Sequence, residues 1–360
     1  MRKLICLLLI LTALLLPAEA GAVRTPLTLM IVVDRSGSVQ RAHSAEMIQR
    51  ALIVLLNASA EGKPVFDETL DVVGLGSFAG TWKLDFAPAS NFRSGLTQAI
   101  GKIPFESGAT NTSEALYRAY KELLTLNRVQ SRSVILLVTD GRPSAFTATF
   151  GPNAECGWES PRTGYVAATV QTSWPPLPPA TQGEKGTYTF GLFRPDWTVF
   201  DMVFIEGGEC HYYTDRGQPF PGTSFHKDFP EFPAADAYGN STVGPVYPLM
   251  GRSMSNPQAV RFASFNAADN VATTIRTDRV LHPALFVVGL HQLLAEESID
   301  AEWLVRVAND VRYPFRSGET PGRYFDVQFA NGGIEDQFKK IAEYIASLTA
   351  LPLQPASKRK

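Results

Sequence analysis

Three oxygen-bearing side chains, Asp34, Ser36 and Ser38, stand at alternate positions directly after an apolar run at residues 27–33. One acid and two hydroxyls at this spacing suit either a polar turn or part of a site for a hard divalent cation, since such cations take oxygen ligands. The apolar run is typical of a buried strand. The three side chains would therefore follow the carboxyl end of that strand.

Two later segments offer further oxygen ligands. Thr110 lies in the sequence SGATNTSEAL, just before a helical pattern, and Thr112 is its nearest competitor. Asp140 directly follows a second apolar run, at residues 133–139. Taken singly, Asp34 and Ser38 could each cap a helix, and Asp140 could belong to an ordinary turn.

The elements around these residues indicate how they could meet. Hydrophobic periodicity predicts helices over residues 42–57, 92–103, 113–126, 261–276, 299–309 and 334–348, and strands over 27–33, 70–78, 82–86, 133–139, 284–290 and 322–327. Alternating helices and near-continuously apolar strands predict an α/β fold, with a mainly parallel sheet covered by helices on both faces. Ligands of such sheets bind at the carboxyl ends of the strands, where Asp34 and Asp140 would both lie.

The segments DRSGS, GATNTSEAL and LLVTDGRP resemble, in this order, the three parts of the metal-ion-dependent adhesion site of von Willebrand factor type A domains. The resemblance covers residues 27–144 and 261–350 and implies a Rossmann-like fold. It also implies a divalent cation, Mg²⁺ in the first place and Mn²⁺ or Ca²⁺ as alternatives, and a partner protein that donates an Asp or Glu carboxylate to it. The ligands it implies are Asp34, Ser36, Ser38, Thr110 and Asp140.

The first 20 residues predict a secretory signal. Two basic residues precede an apolar run at residues 4–16, and small residues lead to a cleavage position before Gly21. An uncleaved membrane anchor is the less favoured alternative, because a transmembrane helix needs about 20 apolar residues. We therefore expect an extracytoplasmic protein, periplasmic or secreted, without a stable membrane span after cleavage.

A large irregular or β-rich insertion is expected after the strand that ends at Asp140. Residues 145–260 are rich in Pro, Gly and aromatic residues, whereas 21–144 and 261–352 form the two parts of the main domain and 353–360 a basic tail. In an oxidising compartment Cys156 and Cys210 would form a disulfide, and two separate buried thiols are the alternative. The insertion's aromatic residues either surround the ion as a specificity surface or form the insertion's own core; they include Trp158, Trp174, Trp197, Tyr212 and Tyr213.

Composition and motifs argue against two classes of function, nucleic-acid binding and catalysis. A net charge of −2 argues against a nucleic-acid partner. No motif places a general base beside a nucleophile, so no catalytic residue and no enzyme is predicted. The order of motifs is similar to that of bacterial extracytoplasmic A-domain proteins, including those of Tad-type pilus assembly.

The resulting hypothesis is cation-dependent protein binding, in adhesion or in pilus or envelope assembly. One alternative is an extracytoplasmic enzyme with its catalytic site in the insertion and the main domain as a docking platform. The other alternative is a structural envelope protein.

Overall fold

The computed structural model describes residues 24–41, 44–105, 108–140, 142–152, 160–171, 187–193, 231–244, 246–249, 251–252, 257–291, 300–314, 316–328 and 333–350. The predicted signal segment, the basic tail and both cysteines of the predicted disulfide lie outside the described residues.

Within these residues the chain forms eleven strands and seven helices. The strands are β1 (Leu27–Asp34), β2 (Ser59–Ala60), β3 (Lys63–Pro64), β4 (Val72–Phe78), β5 (Trp82–Ala89), β6 (Arg132–Thr139), β7 (Ala145–Phe150), β8 (Arg162–Gln171), β9 (Thr187–Phe193), β10 (Ala284–His291) and β11 (Arg323–Gln328). The helices are α1 (Gly37–Arg41), α2 (Ala45–Leu56), α3 (Arg93–Ile100), α4 (Thr112–Leu126), α5 (Pro257–Thr277), α6 (Ala301–Ala308) and α7 (Ile334–Thr349).

The central sheet has six strands in the order β11-β10-β6-β1-β4-β5. All neighbouring pairs are parallel except β4 and β5, which form an antiparallel pair at one edge. Strand β1, which carries Asp34 at its end, therefore lies between β6 and β4 in the middle of the sheet. The predicted mainly parallel α/β architecture is confirmed.

Side chains of β1 alternate between two cores, one on each face of the sheet. Leu29 and Ile31 pack in a core with α2, α3 and α7, whereas Met30 and Val32 pack in a core with α4, α5 and α6. Alternation of this kind follows from the two-residue period of a strand. Because both faces are covered, every residue of β1 is buried, which explains its near-continuously apolar sequence.

Helix boundaries differ from the predicted ones by a few residues. Helix α5 begins at Pro257, four residues before the predicted start, and α2 begins at Ala45, three residues after it. Proline is favoured in the first turn of a helix, where its missing N–H has no intrahelical partner to lose. Pro257 therefore opens α5, whereas the prediction assigned it to the irregular insertion.

The described part of the insertion contains a three-stranded antiparallel sheet, β7-β8-β9. Residues 231–244 pack against β7: the Ala237 N–H donates to the Thr147 carbonyl at 2.8 Å, and the Phe232 ring meets Phe146 edge-on. The five aromatic residues that the sequence singled out lie outside the described residues, so their two alternative roles stay open. No helix in the described part of the chain is long and apolar enough to cross a membrane.

Candidate metal centre

The first loop of the site follows β1 without a break. Asp34 is the last residue of the strand, and its carboxylate Oδ1 accepts a hydrogen bond of 2.9 Å from the Ser36 N–H. Helix α1 begins at Gly37, so the residue directly before it is Ser36. Neither Asp34 nor Ser38, the two residues that could have capped a helix, holds that position. The Asp34 side chain is thus held beneath the start of a short helix, where only 1% of the residue is exposed.

The third loop, which follows β6, joins the first one through hydroxyl groups. The Ser38 hydroxyl donates to Asp140 Oδ1 at 3.0 Å, and the Ser36 and Ser38 hydroxyl oxygens are 3.2 Å apart. Asp140 is also buried. Four of the five predicted ligands therefore form one connected cluster, although they come from segments about a hundred residues apart.

The second loop places Thr110 beside this cluster through its main chain. The Gly37 N–H donates to the Gly108 carbonyl at 3.1 Å, which ties the second loop to the first. The Thr110 N–H donates to the Ser144 hydroxyl at 2.9 Å, and the Ser144 N–H donates back to the Thr110 carbonyl at 3.0 Å. All three predicted loops therefore meet at the same edge of the sheet.

Thr112 remains a competitor of Thr110 as a ligand. It is the first residue of α4, and its hydroxyl is buried without a hydrogen-bond partner among the described residues. A buried hydroxyl with no partner costs free energy, and a cation bound to it would recover part of that cost. Both threonines therefore need to be tested by substitution.

Burial sets the electrostatics of Asp34. Removal from water raises the pKa of its carboxyl group, and hydrogen bonds from Thr139 and Ser36 oppose that rise. The Arg35 guanidinium also lowers the pKa of Asp34, yet burial prevails, and a bound cation would oppose the effect of burial further. The interior of the site thus favours a positive charge.

The donor set fits a small hard cation. Two carboxylates balance a divalent charge, and hydroxyls add oxygen ligands without further negative charge. Among the described residues no group of three or more His, Cys, Asp and Glu side chains could hold a metal. Oxygen donors of this kind would suit Mg²⁺, Mn²⁺ or Ca²⁺ better than zinc, which prefers nitrogen and sulfur ligands.

Two residues that the sequence analysis did not select support the cluster. The Thr139 hydroxyl donates to Asp34 Oδ2 at 2.6 Å. The parallel register pairs Val33 with Val138, so Thr139 lies beside Asp34 on the neighbouring strand. Thr139 could have been selected from the sequence because it directly precedes Asp140. Nothing in the sequence around Ser144 indicates its role.

Residues 29–142 match the family model of the von Willebrand factor type A domain. No protein with a curated function matches the chain.

Solved structures with similar folds include three proteins of bacterial pili. The PilB minor pilin from Streptococcus sanguinis is 15% identical with a TM-score of 0.45, over 91% of this chain and 62% of that one. The vWF domain of the type V pili tip protein Mfa5 from Porphyromonas gingivalis is 14% identical with a TM-score of 0.45, over 92% of this chain and 99% of that one. The pilus adhesin SpaC from Lactobacillus rhamnosus GG is 14% identical with a TM-score of 0.45, over 90% and 30%. The chain thus spans less than two thirds of the length of PilB and of SpaC.

The burial of Asp34 leads to a prediction about stability. Mg²⁺ should raise the Tm of the wild type but not that of Asp34→Asn, by an amount equivalent to about 2.7 kcal/mol when free Mg²⁺ is at 100 times its Kd. In EDTA the variant should be at least as stable as the wild type, because it no longer buries a charge. Thermal unfolding of both proteins in Mg²⁺ and in EDTA checks this. Equal Mg²⁺ shifts in the two proteins would contradict the assignment of Asp34 as a ligand.

The two threonines lead to a second prediction. Thr110→Ala should weaken Mn²⁺ binding about tenfold, a loss within the range found when a metal site is perturbed, whereas Thr112→Ala should change it less than about twofold. Isothermal titration with Mn²⁺ measures both affinities. The reverse pattern would assign the ligand to Thr112.

Proposed function

We propose, from the premise that the chain contains a von Willebrand factor type A domain, that it binds another protein through a divalent cation held by Asp34, Ser36, Ser38, Thr110 and Asp140. The observation that carries the proposal is the connected cluster at the carboxyl edge of the sheet, with Ser38 donating to Asp140 and the Ser36 N–H donating to Asp34.

The chemistry of the ligands favours capture of a carboxylate. The two carboxylates neutralise the divalent charge and the hydroxyls add none, so a bound cation stays electrophilic and can accept an Asp or Glu oxygen from a partner as its last ligand. Five side-chain oxygens leave one position of an octahedral cation for a water, which a partner's carboxylate can replace. We therefore expect an acidic residue at the centre of the partner's interface.

A non-catalytic role suits the described residues. The hydroxyls of Ser36 and Ser38 bond to each other, and Ser38 donates to Asp140. Of the two described histidines, His282 precedes β10, and His291, at the carboxyl end of that strand, pairs with Asp326. Neither serine hydroxyl is bonded to a histidine base. Binding is thus the function that this geometry supports best.

We place this binding outside the cytoplasm, at the cell surface or in the envelope, where adhesion or pilus assembly takes place. The signal-like segment at residues 1–20 and the resemblance to extracytoplasmic A-domain proteins support this location.

A capture experiment tests the proposal. The mature protein is immobilised and exposed to an envelope fraction of the source organism, in Mg²⁺ and again in EDTA. We expect one partner that is retained in Mg²⁺, released by EDTA and absent with Asp34→Ala.

Glu61→Gln serves as the matched control, because it removes an exposed carboxylate from the turn between β2 and β3. That turn lies near the opposite edge of the sheet, where Arg24, which precedes β1, donates to the Val65 carbonyl. The control should retain the partner. Proteins captured equally with EDTA or with Asp34→Ala would overturn cation-bridged capture and leave the ion a structural role at most.

A further inference from the structure

The first turn of α4 carries a buried acid that is held by the insertion. Glu114 is 7% exposed, and its Oε1 accepts a hydrogen bond of 2.7 Å from the Tyr238 hydroxyl. Its Oε2 accepts from the Thr147 hydroxyl at 3.0 Å and from Asn111 Nδ2 at 3.3 Å. Thr147 belongs to β7 and Tyr238 to residues 231–244, so two separate parts of the insertion meet on one carboxylate.

Asn111 links Glu114 to the second loop, which carries Thr110. It is the N-cap of α4, and its Oδ1 accepts from the Glu114 N–H at 3.2 Å. Its own N–H donates to the Ala79 carbonyl, and its Nδ2 donates to the Gly80 carbonyl at 3.0 Å. Since Asn111 directly follows Thr110, the bonds that orient Glu114 and Asn111 also restrain the main chain at Thr110, from which its side chain extends.

Tyr238 is itself presented rigidly. Asp236 Oδ1 accepts from the Tyr238 and Asn240 N–H groups at 2.9 and 2.8 Å, which forms a tight turn. The Tyr238 ring stacks on Tyr117 of α4 with centroids 4.4 Å apart, and the Arg118 guanidinium lies over the Tyr238 ring, 5.3 Å from its centroid. A tyrosine held in this way can orient the Glu114 carboxylate as well as stabilise the fold.

We propose that Tyr238 is a positioning residue for the cation site. Through Glu114 and Asn111 it holds Thr110 against the first and third loops, so that cation binding and the docking of residues 231–244 on α4 are thermodynamically coupled. The coupling is reciprocal: the cation strengthens the docking of this segment by the same factor by which the docked segment strengthens cation binding. A partner that engages residues 231–244 would therefore change the affinity of the site. This inference rests on the proposed function.

The chain offers a matched control on the same helix. The Tyr120 hydroxyl donates to Asp278 Oδ2 at 2.7 Å, the same length as the bond from Tyr238 to Glu114. Tyr120 lies two turns further along α4, and Asp278 follows α5, away from the three loops. Tyr120→Phe and Tyr238→Phe thus each remove one hydroxyl from an equivalent bond and keep the ring.

The experiment measures Mn²⁺ affinity of the mature protein by titration, with Asp34→Ala as the ligand control. Tyr238→Phe should weaken Mn²⁺ binding about tenfold, as loss of a partner of a metal ligand commonly does, and Tyr120→Phe less than about twofold. Hydrogen–deuterium exchange gives a second readout: Mn²⁺ should slow exchange in residues 231–244 of the wild type and do so less in Tyr238→Phe.

The outcomes separate this inference from the function on which it rests. If the wild type binds Mn²⁺, Asp34→Ala does not, and Tyr238→Phe matches Tyr120→Phe, the positioning role is overturned and the cation site stands. If both tyrosine variants lose affinity equally, the effect is one of general stability and the positioning role is again overturned. If the wild type does not bind Mn²⁺, both proposals fall.

Discussion

The structure depends on the burial of two carboxylates, Asp34 and Asp140, at the carboxyl edge of one sheet. Each acid loses most of its hydration there, and burial raises the pKa of Asp34 in spite of its hydrogen bonds. Burying a charge is costly unless hydrogen bonds or an opposite charge compensate for the lost water. Donors from the first loop and from Thr139 reduce this cost, and a bound cation would offset most of the rest.

The register of the sheet brings the two acids together. Strands β1 and β6 are parallel neighbours, with Val33 paired to Val138, so both strands end at the same level. Their apolar side chains are buried in the two cores, and a shift of one residue would move each of these side chains to the opposite face. The packing that stabilises the domain therefore also fixes the positions of Asp34 and Thr139 to within the length of a hydrogen bond.

Much of this arrangement was predictable from the sequence. Long apolar runs and helical stripes predict the parallel sheet, because strands such as β1 and β6 that are buried on both faces must be apolar along their whole length. The five proposed oxygen ligands could be selected because each follows or precedes a strong element. The capping interaction of Asn111 with Glu114 was also predictable from their spacing, although the Glu114 carboxylate bonds the Asn111 side chain and not its N–H.

The role of the insertion was not predictable in the same way. Tyr238 lies 124 residues after Glu114, in a segment without helical or strand periodicity, so no local pattern connects the two. Contacts of this kind depend on the tertiary path of the chain. They also tie the insertion to Glu114 and Asn111, directly after the loop that carries Thr110.

The central claim is that a divalent cation binds where the three loops meet. Its most direct test is an anomalous-difference map from crystals of the mature protein grown with Mn²⁺. We predict one strong peak about 2.0–2.2 Å from oxygen atoms of the first loop, on the side facing Thr110 and Asp140, close to the distances of Mg²⁺ to its ligands. Density for Mn²⁺ only at other positions, or an ordered but ion-free cluster at saturating Mn²⁺, would contradict the account.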